Sequence, residues 1–596
     1  MADQEKQFNP ETSKVNEGSF IEEFGEPSFK AGLDARKPFE RRALLASLFI
    51  AGDQWADVYS DNAGHYQRRN LTPENCDQVR RVNNQIPIHI RGIMGGMTSG
   101  VPEFEGVPAT FDIEDVESAQ LTTQILGMYD EINREGNLRR QEQQYMLAHG
   151  EAYRLTLWDP KVQREDYRGD VDSAVFSLFN AIKDPQSVDI WPARWFIHYD
   201  ARHVDEVRAA YGRNDIEPED VSDFNYNLDR LAMNVPGKSG SRDALKDHVL
   251  DKRMYVPPSE RYPNGYSWRW ANGKMAEPHE LQGGVWPISR AEWFPVGLRL
   301  YAMSLIELIM ADQRQINLIL SQLQDVANRQ IRQDIITQGT PGAAGRAVEV
   351  VIDPKTGRKQ IQLPPGIEKY DLLRYDGIWG NSAELLDRLY EDVRQKTARN
   401  KAVAGQEMSK QITVGELQIS READMEALAW HMEMYSENHL LEVQRAKLRL
   451  VQRFCQSQRL VETYGRSQAN AVPYFTGSDL TGTRDVVTVP TPHLTPAMKR
   501  QAKFQAFTGG MMGPYESPQA QYAARKVLRQ MGLADLEEEL SAAYGPLDDL
   551  EQFVGGLEQA SRQAIVMRAK AALELAANPQ PQQPTEEAPA EMAAAG

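Results

Sequence analysis

The sequence predicts a helix-rich α+β protein, on three observations. The first is the stretch Leu298–Gln333, where Leu298, Tyr301, Leu305, Leu308, Ile309, Ile316, Ile319, Leu323, Val326 and Ile331 recur mostly at steps of three or four. Such spacing makes one apolar face on a continuous helix, and 36 residues would run roughly 54 Å at the α-helical rise. The second is the alternation of Val348, Val350 and Ile352, then Ile361 and Leu363, about the turn Asp353-Pro-Lys-Thr-Gly357. That pattern predicts a β-hairpin, stopped by Pro364-Pro365. The third is the segment Tyr255–Trp293, rich in Trp, Tyr, Pro and Gly, which suits short strands and turns.

Composition narrows the function classes. In 596 residues, 41% are hydrophobic and 26% charged, and the formal net charge is -18. That is enough apolar material for a large core, in more than one domain or one elongated one. An acidic balance argues against coating nucleic acid through a basic surface. Only Cys76 and Cys455 occur, so neither a disulfide framework nor a cysteine zinc site is expected. The polar start MADQEKQFNPETSK has no apolar core of a signal peptide, and a reducing cytoplasm is the expected place of folding. The long helix is not a membrane span: Glu307, Asp312 and Arg314 sit in or beside its most apolar part, and charges there cost several kcal/mol in lipid.

In chain order, residues 1–37 read as a flexible arm, with Pro10, Gly18, Gly25 and Pro27 scattered through polar sequence. A helix begins near Phe39 and is closed by Gly52. Asn83–Pro102 is mixed, a single helix is expected from Glu117 to about Gly150, and Ala152–Trp158 reads as a strand. Asp184–Tyr199 reads as a loop and a short strand. After the hairpin, a second helix is expected over Asn381–Asn400, with Ser382 as its N-cap. Residues 401–415 form a loop bounded by Gly415, and a very long helix follows from Glu416 to about Leu460. Asp485–Val489 is a strand. Helices are expected after Thr495, and the Pro/Ala/Glu tail 577–596 is low in complexity and expected to be disordered.

No catalytic motif stands out. There is no phosphate loop: Gly95-Gly-Met-Thr-Ser-Gly100 is followed by Val101 rather than Lys. His431 and His439 share part of a helix face and could meet a metal with Asp424, but a solvated or interface role is the simpler reading. No cofactor and no metal is expected. One charge cluster is informative: Arg394, Lys396, Arg399, Lys401 and Lys410 face only Glu407 in an otherwise acidic chain. These cations could complement a helix C-terminus, or meet phosphates weakly and without base preference.

Several stretches, taken in order, resemble the portal proteins of tailed double-stranded-DNA bacteriophages. Phe49-Ile-Ala-Gly-Asp-Gln-Trp55 is similar to an early G-x-Q-W element of that family, and Asn84-Gln-Ile-Pro-Ile-His-Ile-Arg-Gly92 with Pro102 to its N-x-I…G…P segment. Ala148-His-Gly-Glu-Ala-Tyr153 resembles its A-x-G-x-x-Y strand opening. Pro295-Val-Gly-Leu298, Asp312-Gln-Arg-Gln-Ile-Asn317 and Ser321 resemble the start of its stem. The order of a mixed region, a long helix, a small insertion, a second helix, a loop and another long helix agrees with this, over roughly residues 39–575.

The resemblance implies an elongated subunit in a ring, typically of twelve, around a DNA channel. It implies a wing over 38–297, stem helices at 298–333 and 375–400, and an αβ clip at 334–374. A tunnel loop at 401–415, further wing at 416–494 and a crown at 495–576 complete it. Arg394, Lys396, Arg399, Lys401 and Lys410 would lie at the channel, and Asp353, Lys355, Arg358 and Lys359 at the clip. Implied partners are other copies of the chain, the terminase large subunit, capsid and scaffolding proteins, a head–tail adaptor or neck protein, and sliding double-stranded DNA. Its place would be the portal vertex of the virion, after assembly in the host cytoplasm, and it would catalyse nothing. The rival expectations are a large monomeric cytoplasmic enzyme of hydrolase type and a neck or tail adaptor.

Overall fold

The computed structural model describes residues 20–60, 66–71, 79–99, 103–163, 167–221, 246–260, 262–332, 335–339, 349–352, 359–362, 367–372, 378–397, 428–457, 459–460 and 474–489. Among them helix and sheet are mixed, as expected for an α+β chain. No helix of the described residues is long and apolar enough to cross a membrane.

The first helix corrects the expectation of a flexible arm as far as residue 37. Helix α1 spans Glu26–Ala51, is preceded by a π-helical turn at Ile21–Gly25, and ends on Gly52 at φ 93°. Pro27 lies in the first turn, where no intrahelical N–H is needed. The N-terminal part of this rod buries Phe20, Ile21 and Phe29 against Trp195, Ile197, Met254, Trp268 and Trp270. At Gly32 a Cβ would stand 2.1 Å from Ile182 Cγ2, so only glycine allows the helix this close. Arg36, fully buried, donates to the carbonyls of Leu178 (2.9 Å), Phe179 (3.0 Å) and Ala181 (3.0 Å) and pairs with Glu40 at 3.0 Å.

Two antiparallel sheets contain the expected strands together with strands at 168–177, 181–183 and 248–256 that were not foreseen. Strands β4 (Glu151–Gln163), β5 (Arg168–Ser177) and β12 (Ile288–Glu292) run in the order β12-β4-β5. The larger sheet orders β10 (Lys274–Met275), β9 (Tyr266–Ala271), β8 (His248–Val256), β7 (Phe196–His203) and β6 (Ala181–Lys183), with β11 (His279–Glu280) also on β9. Strands β1 (Ala56–Ser60) and β2 (Tyr66–Asn70) pair as a small ribbon, β3 is Glu103–Pro108, helix α2 is Ile86–Ser99 and the short helix α5 is Val204–Tyr211. The single helix expected from Glu117 to Gly150 is two, α3 (Ile113–Ile132) and α4 (Glu135–His149), because Arg134 adopts a left-handed φ of 50° between them.

The largest core cluster joins α1, α2, α3 and α4 to the three C-terminal helical segments. The last of these is helical from Leu428, passes a π-helical turn at Tyr435–Leu440, and continues to Phe454 rather than to Leu460. Arg459–Leu460 instead form a strand paired with Tyr474–Phe475. Strand Thr483–Val489 pairs with Glu103–Pro108. Residues 416–427, the expected tunnel loop 401–415, the expected crown 495–576 and the tail 577–596 lie outside the described residues.

Burial also sets a pH dependence. His149, at the end of α4, lies 3.0 Å from Ser47 Oγ and between the rings of Tyr145 and Phe179. Burial pushes its imidazole down to about 4, and His198 of β7 likewise to about 4. A histidine with a depressed folded pKa stabilises the fold above about pH 6.5, and that stability is lost as pH falls toward 4, by up to about 3 kcal/mol each. The melting temperature is therefore expected to drop between pH 7 and pH 4.5, and to drop less in His149→Gln. Parallel pH profiles for the two proteins, followed by circular dichroism, would show that His149 does not titrate on unfolding.

Candidate functional site: the long helix pair and its polar seam

The predicted rod is helix α6, Leu305–Arg332. It starts seven residues later than its apolar period suggests. Leu298 has φ 65° and is 92% exposed, and Phe294 and Met303 form an isolated β-bridge. Ser304 begins the helix, its Oγ accepting from the Glu307 N–H at 3.1 Å. The Glu307 carboxylate pairs with Arg299 at 2.8 Å and so holds the non-helical lead-in against the first turn. The sequence signal for this start was Ser304-x-x-Glu307, a capping-box spacing.

Beside its apolar stripe α6 carries a polar one at four-residue spacing: Gln313, Asn317, Ser321 and Asp325. Each accepts a backbone N–H from every second residue of the extended segment 79–85. Gln313 Oε1 takes Gln85 N (3.2 Å), Asn317 Oδ1 takes Asn83 N (2.9 Å), Ser321 Oγ takes Arg81 N (2.9 Å) and Asp325 Oδ1 takes Val79 N (2.9 Å). The two repeats match: four helical residues rise about 6 Å, and two extended residues span about 6.6 Å. Gln313 Nε2 returns a bond to the Asn83 carbonyl at 2.8 Å. Asn317 Nδ2 donates to Gln54 Oε1, whose amide donates to Asn84 Oδ1 at 2.8 Å, and Asn84 Nδ2 donates to the Ile50 carbonyl at 3.0 Å. Gln54, Gln313, Asn317 and Ser321 are all buried. Three stretches singled out by the resemblance, around Gln54, Asn84 and Gln313–Ser321, thus meet in one seam.

The second helix of the pair, α7, spans Ile378–Lys396. Ser382 is inside it rather than its cap. Leu386, Leu389 and Val393 join the core cluster that holds Leu305, Ile309 and Ile316 of α6. Tyr390 Oη accepts from Asn83 Nδ2 at 2.8 Å, tying α7 to the seam. Lys396, at the C-terminal end of α7, pairs with Asp312 in the N-terminal half of α6 at 2.6 Å, so the two helices run antiparallel. Between them lie two nested antiparallel ladders, β13 (Ile335–Gly339) with β16 (Ile367–Leu372), and β14 (Glu349–Ile352) with β15 (Lys359–Gln362). The inner ladder is the expected hairpin, with Val350 opposite Ile361. The outer one was not foreseen, and the described residues of the excursion are all strand.

Of the cations singled out in the sequence, Arg394 pairs with Glu391 (3.2 Å) and Lys396 with Asp312. Both are therefore partly neutralised within the chain. Arg399, Lys401 and Lys410 lie outside the described residues, as do Asp353, Lys355 and Arg358. Lys359 opens β15. His431 stacks on Trp293 with centroids 3.9 Å apart, while His439 is buried 3.1 Å from Glu142. Asp424 is outside the described residues. Among the described residues no group of three or more His, Cys, Asp or Glu could hold a metal ion.

Sequence reasoning missed a buried charge network on the other side of the core. Arg154 of β4 pairs with Glu135 and Glu142 of α4, Tyr435 Oη donates to Glu142 at 2.7 Å, and Lys447 pairs with Glu135 and, at 3.2 Å, with Asp130. Burial raises the Glu142 carboxyl, but Arg154 and His439 outweigh it and hold it well below the usual range. Lys447, with Arg154, does the same for Glu135 against burial. The network fastens α4 and β4 to the helix that carries the π turn. Its carboxylates are all paired inside the chain, while Arg154 Nη2 and His439 Nδ1 are buried without a hydrogen-bond partner.

No known protein-family model matches the chain, and no curated protein sequence matches it.

Asn317→Leu should leave the Asn83 N–H and the buried Gln54 Oε1 without their partners, at a cost of about 2–4 kcal/mol. Lys396→Ala removes a half-exposed ion pair and should cost no more than about 1 kcal/mol. Urea unfolding of both variants reads the difference directly. Equal losses would mean that the seam carries no special weight.

Proposed function

We propose that this chain is a ring-forming channel subunit of the portal type, through which double-stranded DNA enters and leaves a phage capsid. The observation that supports the reading best is the seam. Three of the short stretches similar to portal motifs are far apart in sequence, yet they form one hydrogen-bonded unit at the root of the antiparallel helix pair. A resemblance made of accidental matches would give no reason for Gln54, Asn84 and Asn317 to bond one another. The nested ladders at the far end of the pair supply a second support, since they give the pair a β-structured tip of the kind a clip requires.

On this reading the work of the protein is geometric rather than catalytic. Helices α6 and α7 stand side by side, with Leu308, Leu318 and Leu385 exposed on them and available to the same helices of a neighbouring copy. Roughly twelve copies would surround the bore. The ladder tip would meet the terminase large subunit and later a neck or adaptor protein, and the region beyond residue 495 would face the capsid interior with its scaffolding. The self-pairing of Arg394 and Lys396 suits a wall that DNA slides past, because cations already partnered bind phosphate weakly.

Light scattering after size exclusion, with negative-stain imaging, tests the proposal. The purified protein is expected as a species many times 67.4 kDa, about twelvefold, whose images show rings with a central hole. A compact monomer at micromolar concentration, with no rings on addition of scaffold or capsid protein, would contradict it.

A further inference from the structure

The larger sheet has two unlike faces. One, with Ile197, Tyr199, Met254, Trp268 and Trp270, is covered by the N-terminal part of α1. The other carries His198, Asp200 and Arg202 on β7, Asp251 and Arg253 on β8, and Arg269 on β9. The register sets Arg253 directly between His198 and Arg269 and Asp200 opposite Asp251. This polar face does not turn to open solvent. It fronts a cleft of about 630 Å³ whose opposite wall includes Leu155, Leu157, Ala174 and Phe176 from β4 and β5. The volume falls in the range of sites that hold small organic molecules, roughly 300–1,000 Å³.

Within the polar face of the sheet, the ion pairs leave Arg253 with a neutral partner. Asp251 receives a two-point contact from Arg269, one bond at 2.8 Å, and lies 3.8 Å from Arg202. Asp200 faces Arg202 at 3.7 Å and His198 at 3.4 Å. Arg253 has only a hydrogen bond to Tyr255 Oη at 3.3 Å, and among the described residues no carboxylate lies within ion-pair distance of it. Asp251, on the same strand face two residues away, favours its charge, and a guanidinium that gives its one hydrogen bond to a neutral phenol keeps donors for a further anion. Beside it, the His198 and Phe176 rings meet across the cleft with centroids 4.2 Å apart and planes tilted by 37°, so that Phe176 bounds the space next to Arg253.

We propose that this cleft binds a small organic anion, with its carboxylate or phosphate head on the Arg253 guanidinium and a flat apolar body against Leu155 and Phe176. The planar donors of arginine match either head. Asp159, Asp172 and Asp200 line the cleft alongside Lys161, Arg202 and Arg269, and its volume suits a small anion rather than a nucleic-acid strand. The site stands apart from the helix pair, and its occupancy does not depend on ring formation.

Titration calorimetry of the full chain with benzoate, phenyl phosphate and inorganic phosphate tests the inference. At least one of the two aromatic anions is expected to bind saturably, the tighter one identifying the head group, with inorganic phosphate weaker than either. Arg253→Gln should weaken binding by about tenfold or more. Ala174→Trp, which keeps every charge but fills the cleft from the opposite wall, should abolish it, and it remains decisive should Arg253→Gln fail to fold. Absence of saturable binding by both aromatic anions, or wild-type affinity in the folded variants, would overturn the proposal. Inorganic phosphate binding as tightly as phenyl phosphate would overturn the role of the apolar wall.

Discussion

The fold turns on the match between a helix and an extended strand of backbone. Along α6 the acceptors come every four residues, and along 79–85 the donors come every two, so both advance by nearly the same distance. A segment with no sheet to join would otherwise carry amide N–H groups against a core helix with nothing to satisfy them. The stripe Gln313, Asn317, Ser321 and Asp325 meets that need. It also fixes the helix in rotation and translation, which apolar contacts alone do loosely. Through Asn83 the same seam reaches Tyr390 and hence α7, so the orientation of the pair is set at its root.

Specificity of this kind is what a channel wall would need. A ring of long helices tolerates little error in their tilt, since each displacement is repeated around the axis. Hydrophobic burial at the root supplies stability without direction. The hydrogen-bonded seam and the buried network of Arg154, Glu135, Glu142 and Lys447 supply direction.

Much of this was legible in the sequence, and what was not has identifiable causes. The rod Leu305–Arg332 and the hairpin around Val350 and Ile361 declared themselves through their periods, which packing against one face imposes directly. The start of the rod did not, because Leu298 and Tyr301 continue the apolar period by coincidence while the chain there is held by a β-bridge. Residues 20–37 looked like a loose arm because Gly25 and Pro27 suggest turns. In fact the proline sits in the first helical turn, and Gly32 is required for close packing on Ile182. The break at Arg134 has no composition signal, since its left-handed backbone is set by the docking of α3 and α4. The charge networks were invisible because a sequence does not report burial: Arg154 and Lys447 read like any surface cations. The i, i+4 stripe on α6 could have been found, as four small polar residues at constant spacing beside an apolar face.

Amide hydrogen exchange across residues 79–85 tests the seam most directly. Strong protection is expected at Val79, Arg81, Asn83 and Gln85, with Val82 between them exchanging much faster, and the protected set should lose protection together in an Asn317 variant. Uniformly fast exchange along this segment in the intact protein would mean that α6 does not hold it, and that the helix pair owes its orientation to something other than the polar stripe.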